Sequence, residues 1–239
     1  MEIINLIKKI FNEGEERSIE AKKNIAASFA IKGVSIGVSL ILVPLTISYV
    51  NPSQYGIWLT LSSIIAWFSF FDIGFGNGLR NRFAEAKASG DMQKARIYVS
   101  TTYAVLTAIF TFVWILFFVA NYFIDWSIVL NAPKEMVTEL GTLALIVFSF
   151  FCLQIVLKTI NTILIADQKP AKAAFFDMLG QLLALFVIYI LTKNTQGSLI
   201  NLGLTLGFIP ILVLIISSFW FYSSRYKEIS PSFKLVNLS

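Results

Sequence analysis

The chain has 239 residues, 56% of them hydrophobic and only 14% charged, with 22 phenylalanines and a mean hydropathy of +0.75. Soluble domains carry about a quarter charged residues, so a water-soluble globule is excluded, and the net charge of +5 reads as membrane topology rather than affinity for nucleic acid. With no histidine and one cysteine, Cys152, inside an apolar run, a disulfide framework and a Cys/His metal site are excluded as well, and no cofactor is expected.

Residues 1–24 combine Ile3, Ile4, Leu6, Ile7, Ile10 and Phe11 with Lys8, Lys9 and a charged run to Lys23, the pattern of a helix lying on a membrane surface. The apolar run is too short, and the acidic residues after it too many, for a cleavable signal. Six stretches are then long enough to cross a hydrocarbon core about 30 Å thick, which takes roughly 20 apolar residues. They are Ile25–Tyr49, Tyr55–Leu79, Ile97–Tyr122, Glu139–Ala166, Ala173–Thr192 and Leu199–Tyr222. Asn51 and Pro52 mark a tight turn after the first. The segment Phe123–Thr138, with Asp125, Trp126, Asn131 and Pro133, reads as an interfacial loop anchored by aromatic rings. Strands of about ten residues with alternating faces are absent. The expected fold is all-α and integral to the membrane: a six-transmembrane-helix bundle over residues 25–222, with 1–24 before it and a cytoplasmic tail or linker, 223–239, after it.

Orientation follows from the cations. Fifteen of the nineteen Lys and Arg residues fall in the N-terminal segment, in the loops after the second and fourth spans, and in the tail. Lys134 and Lys193 are on the other side, and the crowded side is cytoplasmic, which puts both termini there.

The remaining cations, Lys32 and Lys158, lie within spans, as do Asp72 and Asp177. An unpaired charge at mid-bilayer costs about 2.5–3.5 kcal/mol even on the milder scales. Counted from the cytoplasmic ends at about 1.5 Å per residue, Lys32, Asp72 and Lys158 lie roughly 10–12 Å deep and Asp177 is shallower. Polar residues share their helical faces: Ser28, Ser35, Ser39 and Thr46 with Lys32, Ser69, Gly76 and Arg80 with Asp72, Gln154 and Asn161 with Lys158, and Gln181 with Asp177. Two readings stand. In one, the lysines snorkel and the carboxylates pair with cations to hold the bundle. In the other, the stripes line a cavity open to the cytoplasm, with Ser35, Gln154, Asn161 and Gln181 in its wall, in which cations bind phosphate oxygens and Asp72 or Asp177 carries a coupling proton or sodium ion.

Gly74, Gly76 and Gly78 imitate a nucleotide-binding motif, but they follow an apolar helix with no βαβ unit around them. They are expected to loosen the end of the second span or to admit a close neighbour. Gly33 and Gly37 form a GxxxG pair, and Pro44 and Pro210 are expected to kink their spans. No catalytic constellation is present, and no extramembrane segment is large enough to house one, so an enzyme is not expected.

The stretch LVPLTISYVNPSQYGIWLTLSSIIAWFSFFDIGFGNGLRNRFAEAKASGD, with IDWSIVLNAP and ILIADQKPAKAAFFDMLGQ further on, resembles the N-terminal region of bacterial O-antigen and polysaccharide flippases of the multidrug/oligosaccharidyl-lipid/polysaccharide exporter superfamily. The resemblance implies transport of an undecaprenyl-diphosphate-linked oligosaccharide across the bacterial plasma membrane by alternating access, coupled to H⁺ or Na⁺. It implies Lys32, Arg80 and Lys158 as candidate ligands of the diphosphate. Members of that family have two six-helix lobes around a central cavity, so this chain is expected to be the N-terminal lobe, a fragment or one part of a split or dimeric transporter. Its expected partners are the lipid-linked substrate, membrane lipids, a second lobe and polysaccharide polymerase or export components, with no nucleic acid. Competing readings are a cation-coupled drug antiporter of the same superfamily, a non-transporting scaffold of an export complex, and an integral-membrane sugar transferase or polymerase.

Overall fold

The computed structural model of the chain describes residues 16–72 and 74–237, with side chains from residue 22 onward except those of 69, 71, 72 and 75. The expected surface helix lies largely outside the described residues. From Glu16 the chain is already in α1 (Glu16–Val50), one helix of 35 residues. At about 1.5 Å per residue it is roughly 50 Å long, well beyond the hydrocarbon thickness. The helix runs on without a break through residue 24, and Lys22 and Lys23 lie on the same helix as the first span.

The second span corrects the expectation of a single helix over Tyr55–Leu79. α2 (Pro52–Ala66) starts sharply, with Pro52 in its first turn and the Asn51 side chain accepting the Gln54 N–H at 3.0 Å. After Ala66 the chain tightens into a 3₁₀ turn, Trp67–Asp72, and then passes through Gly74 at φ 78°. Glycine adopts that left-handed backbone without steric penalty. Beyond it begins a helix of different character, α3 (Phe75–Ala88), which buries Leu79, Phe83 and Ala86 and exposes Arg80 and Arg82. The glycine run thus separates an apolar element from an amphipathic one.

The remaining helices are α4 (Met92–Phe123), the short α5 (Trp126–Val129), α6 (Val137–Leu157), α7 (Thr159–Ala166), α8 (Pro170–Asn194) and α9 (Leu199–Ser223). The fourth expected span, Glu139–Ala166, is interrupted at Lys158, a turn residue between α6 and α7. Five helical stretches are long and apolar enough to cross a membrane: Lys22–Val50, Met92–Phe123, Lys134–Ala166, Pro170–Asn194 and Leu199–Ser223. The described structure is helical and multi-pass.

Two apolar cores hold it. One lies at the end bearing the loops around residues 125 and 196 and contains Leu61, Phe110, Leu140, Leu143, Phe148 and Leu202. The other lies at the α3 end and contains Phe83, Val99, Ile160, Leu164, Phe221 and Ile229. α9 packs on α6 and α8, α4 packs on α6, and α1 lies mainly along α8. The α1 and α8 helices run parallel and in register: Ser35 pairs with Gln181, and Tyr49 with Thr195, at the same sequence offset of 146.

Close helix approach occurs at glycines other than the expected pair. A Cβ added at Gly33 or Gly37 would meet nothing within 4 Å. At Gly203 it would lie 2.7 Å from Leu143 Cδ1, and at Gly207 it would overlap the Phe150 ring, so this second GxxxG pair brings α9 against α6. Both proline-containing helices continue through their prolines, and Gly180 on α8 leaves room for Pro210, whose Cα a Cβ would approach at 3.2 Å.

In the loop after α4 the aromatic rings divide between core and surface. Trp126 is only 3% exposed, packs beside Phe117, and donates its indole N–H to Asn121 Oδ1 at 2.7 Å. A buried indole needs such an acceptor. The rings that face outward are those of Tyr122 and Phe123. Asp125, exposed, accepts the Ser127 hydroxyl at 2.6 Å and the Ser127 N–H at 2.9 Å, and these bonds hold its carboxyl below the usual carboxylate range.

The segment after α9 is a strap. Ile229 is fully buried, Arg96 Nε donates to the Ser230 carbonyl at 2.9 Å, and the Ser232 N–H donates to Ser100 Oγ at 3.0 Å. Asn237 N–H donates to Thr101 Oγ1 at 3.0 Å. The strap thereby lies back along the first turns of α4.

Candidate functional site

Lys158 owes its position to the break between α6 and α7. Its N–H closes the last turn on the Gln154 carbonyl at 2.9 Å, and its own carbonyl accepts from Asn161 at 2.9 Å. The turn presents Gln154, Lys158, Thr159 and Thr162 to one cavity of about 230 Å³, completed by Gly76 and Leu79 of α3 and by Thr102 of α4. Thr159 is 3% exposed and its hydroxyl has no hydrogen-bond partner among the described residues. Gln154 also lines a second cavity, of about 290 Å³, with Trp58, Ser62 and Phe150. Small-molecule sites usually occupy about 300–1,000 Å³, so either space suits a charged head rather than an oligosaccharide.

On the other side of the same turn, Asn161 Nδ2 donates to Asp177 Oδ1 at 3.0 Å. Lys158 is close enough to act on that carboxylate electrostatically. The structure therefore gathers Lys158, Asn161 and Asp177 from α6/α7 and α8. One turn further along α8, Gln181 accepts a hydrogen bond from Ser35 of α1. The common register puts Lys32 level with Met178, next to Asp177, where it is exposed and forms no ion pair among the described residues. Four of the expected polar residues, Ser35, Asn161, Asp177 and Gln181, thus form one strip along α8, with Lys158 at its end.

Arg80 is exposed on α3 and does not line the Lys158 cavity; Gly76 and Leu79 represent α3 there. The side chain of Asp72 lies outside the described residues, and its backbone closes the 3₁₀ turn.

Sequence reasoning passed over Asp167. Its side chain is 1% exposed and sits on the turn after α7 among Lys169 at 2.5 Å, Lys87, Arg225 Nε at 3.7 Å and the Tyr226 hydroxyl, which donates at 2.7 Å. These groups come from α3, the α7–α8 turn and the start of the strap, so one carboxylate ties three parts of the cationic end together. Burial pushes the Tyr226 phenol above its usual pKa, keeping it a neutral donor. The available signal was an acidic residue on a turn whose other charges are cationic, in ADQKPAK. Arg82 was missed as well. It lies beside the Leu79–Phe83 face, where it lines a cavity different from that of Lys158.

A curated protein of Salmonella typhi named "Putative O-antigen transporter" is 23% identical over 214 residues, covering 88% of this chain and 49% of that protein. The chain spans about half the length of the curated relative it matches. No family model and no solved structure matches.

Proposed function

We propose that the chain is the N-terminal lobe of a bacterial plasma-membrane transporter that flips an undecaprenyl-diphosphate-linked oligosaccharide to the outer leaflet by ion-coupled alternating access. The relative's name, that of an O-antigen transporter, supports a polysaccharide-transport role and a non-enzymatic one. The observation that carries the reading is the set Lys158, Asn161 and Asp177 at an interrupted helix within the apolar region. Ionisable groups so placed are expensive and mark substrate or ion paths. In this proposal Lys158 attracts the diphosphate and Asp177, steadied by Asn161, takes up the coupling ion; the uptake cancels the carboxylate's competing charge near Lys158 and leaves the ammonium's field to the phosphate.

A sixth crossing belongs to the proposal. Fifteen α-helical residues at about 1.5 Å and six 3₁₀ residues at about 2.0 Å give roughly 34 Å from Pro52 to Asp72, enough to span the hydrocarbon. With it, both ends of the lobe are cytoplasmic.

The test is restoration of surface polysaccharide in a strain lacking its own O-antigen transporter, with the gene expressed together with its natural reading frame. Lys158→Ala is expected to lower transport by about tenfold or more at unchanged expression, the scale of one charge-assisted bond to phosphate, and Lys158→Arg to retain part of it. Full transport by Lys158→Ala removes the residue from the mechanism. Absence of any transport by the wild type across several repeat-unit chemistries overturns the reading.

A further inference from the structure

A cavity of about 320 Å³ at the α3 end is bounded by α3, the first turns of α4 and the returning strap. Arg82 is its cation. The guanidinium lies over the Tyr98 ring, 5.5 Å from the centroid, and no described carboxylate pairs with it. Among the described residues no acidic side chain lines the space. Thr102 and Asn237 add polar groups, while Leu79, Ile97 and Val105 make the rest apolar. The strap builds one wall, because Asn237 is held through its backbone by both a donated and an accepted hydrogen bond with Thr101 Oγ1, at 3.0 and 3.2 Å. On the floor, Gly74 and Gly78 leave open space where any Cβ would stand.

This is an amphipathic cavity with one cation in place at a polar edge and apolar side chains leading along a span. An aromatic ring beneath a guanidinium restrains it, and a restrained guanidinium matches the fork of phosphate oxygens. The cavity shares Leu79 and Thr102 with the Lys158 cavity, so the two spaces adjoin. We infer that this cavity is a niche for the phosphate group of a membrane amphiphile, held by Arg82 with its chain along Ile97 and Val105. If the amphiphile is the lipid-linked substrate, the niche is the station before Lys158; that extension rests on the transport reading, whereas the niche itself does not.

The experiment is native mass spectrometry of the purified, delipidated chain exposed separately to undecaprenyl phosphate, phosphatidylglycerol, diacylglycerol and inorganic phosphate. Retention of one or both phosphate-bearing lipids is expected, with diacylglycerol washing off. Arg82→Gln is expected to weaken retention about tenfold, and Arg82→Lys less, while Lys94→Gln, on the same end of α4 but outside the cavity, leaves it unchanged. Helix content and melting temperature check the fold of each variant, and Thr102→Val supplies a second, smaller loss should Arg82→Gln unfold. Stronger retention of undecaprenyl phosphate supports the niche as a substrate station, and stronger retention of phosphatidylglycerol supports it as a resident-lipid site. Equal retention by Arg82→Gln, equal retention of diacylglycerol, or capture of inorganic phosphate without lipid overturns the niche. Intact lipid retention beside failed polysaccharide transport counts against the transport reading alone.

Discussion

Replacing Asp167 with alanine is expected to cost about 3–5 kcal/mol of stability, the range for removing one partner of a buried ion pair. The reason is the buried ion pair that is broken. Lys169 has a side chain only 8% exposed, so it keeps its desolvation cost and loses the carboxylate 2.5 Å away. Lys87 and Arg225, about half exposed, can recover water, and they add less than their number implies. The Tyr226 hydroxyl, 2.7 Å away, loses its acceptor as well. A melting transition in detergent at fixed scan rate should fall by on the order of 10 °C. Asp167→Asn, which keeps an acceptor for Tyr226, should fall less, and Asp167→Ala combined with Lys169→Met should recover much of the loss. A midpoint unchanged by Asp167→Ala would show that the carboxylate does not hold this end of the lobe.

The second large effect is expected at Gly207. A methyl group there would overlap the Phe150 ring and sit 3.0 Å from its Cβ, so the ring cannot simply swing its tip aside. Alanine should destabilise the α6–α9 contact by about 1–3 kcal/mol, the cost of overpacking a filled core. The control is Gly33→Ala, in the other GxxxG pair. Its methyl group meets nothing within 4 Å, so the change should be neutral or stabilise by up to about 1 kcal/mol through helix propensity. Equal melting shifts for the two variants would mean that α6 and α9 do not meet at Gly207.

This pair shows how far the sequence could be read. GVSIG and GLTLG carry the same pattern, and nothing local tells which glycine faces a neighbour. Likewise the polar stripe with Lys158 was legible, as was its proximity in depth to Asp177, but the break in the helix at Lys158 was not. The apolar run continues through that point without glycine or proline, and beyond the turn α7 packs against α3 and α8, contacts that local sequence does not reveal. Aromatic anchoring of Phe123–Thr138 is legible in the sequence, but which ring faces outward is not: Phe123 is exposed, while the Asn121 acceptor on α4 holds Trp126 in the core.

By itself the sequence determined the all-helical, multi-pass character, since long apolar runs in hydrocarbon can satisfy their backbone groups only within helices or closed barrels, and the strand pattern is missing. It also showed which ionisable residues fall within long apolar runs, but the breaks at Trp67–Asp72 and at Lys158 mean that depth cannot be counted along one continuous helix there, and Asp72 closes a 3₁₀ turn at the end of its run. Only the tertiary structure decided which of those charges meet. It joined Asn161 to Asp177 within the field of Lys158, and ran Asp167 together with cations from α3, the α7–α8 turn and the strap. Those meetings depend on the rotation of each helix about its axis and on its register against the next. Both are fixed by side-chain packing between residues far apart in the chain, and local composition contains neither.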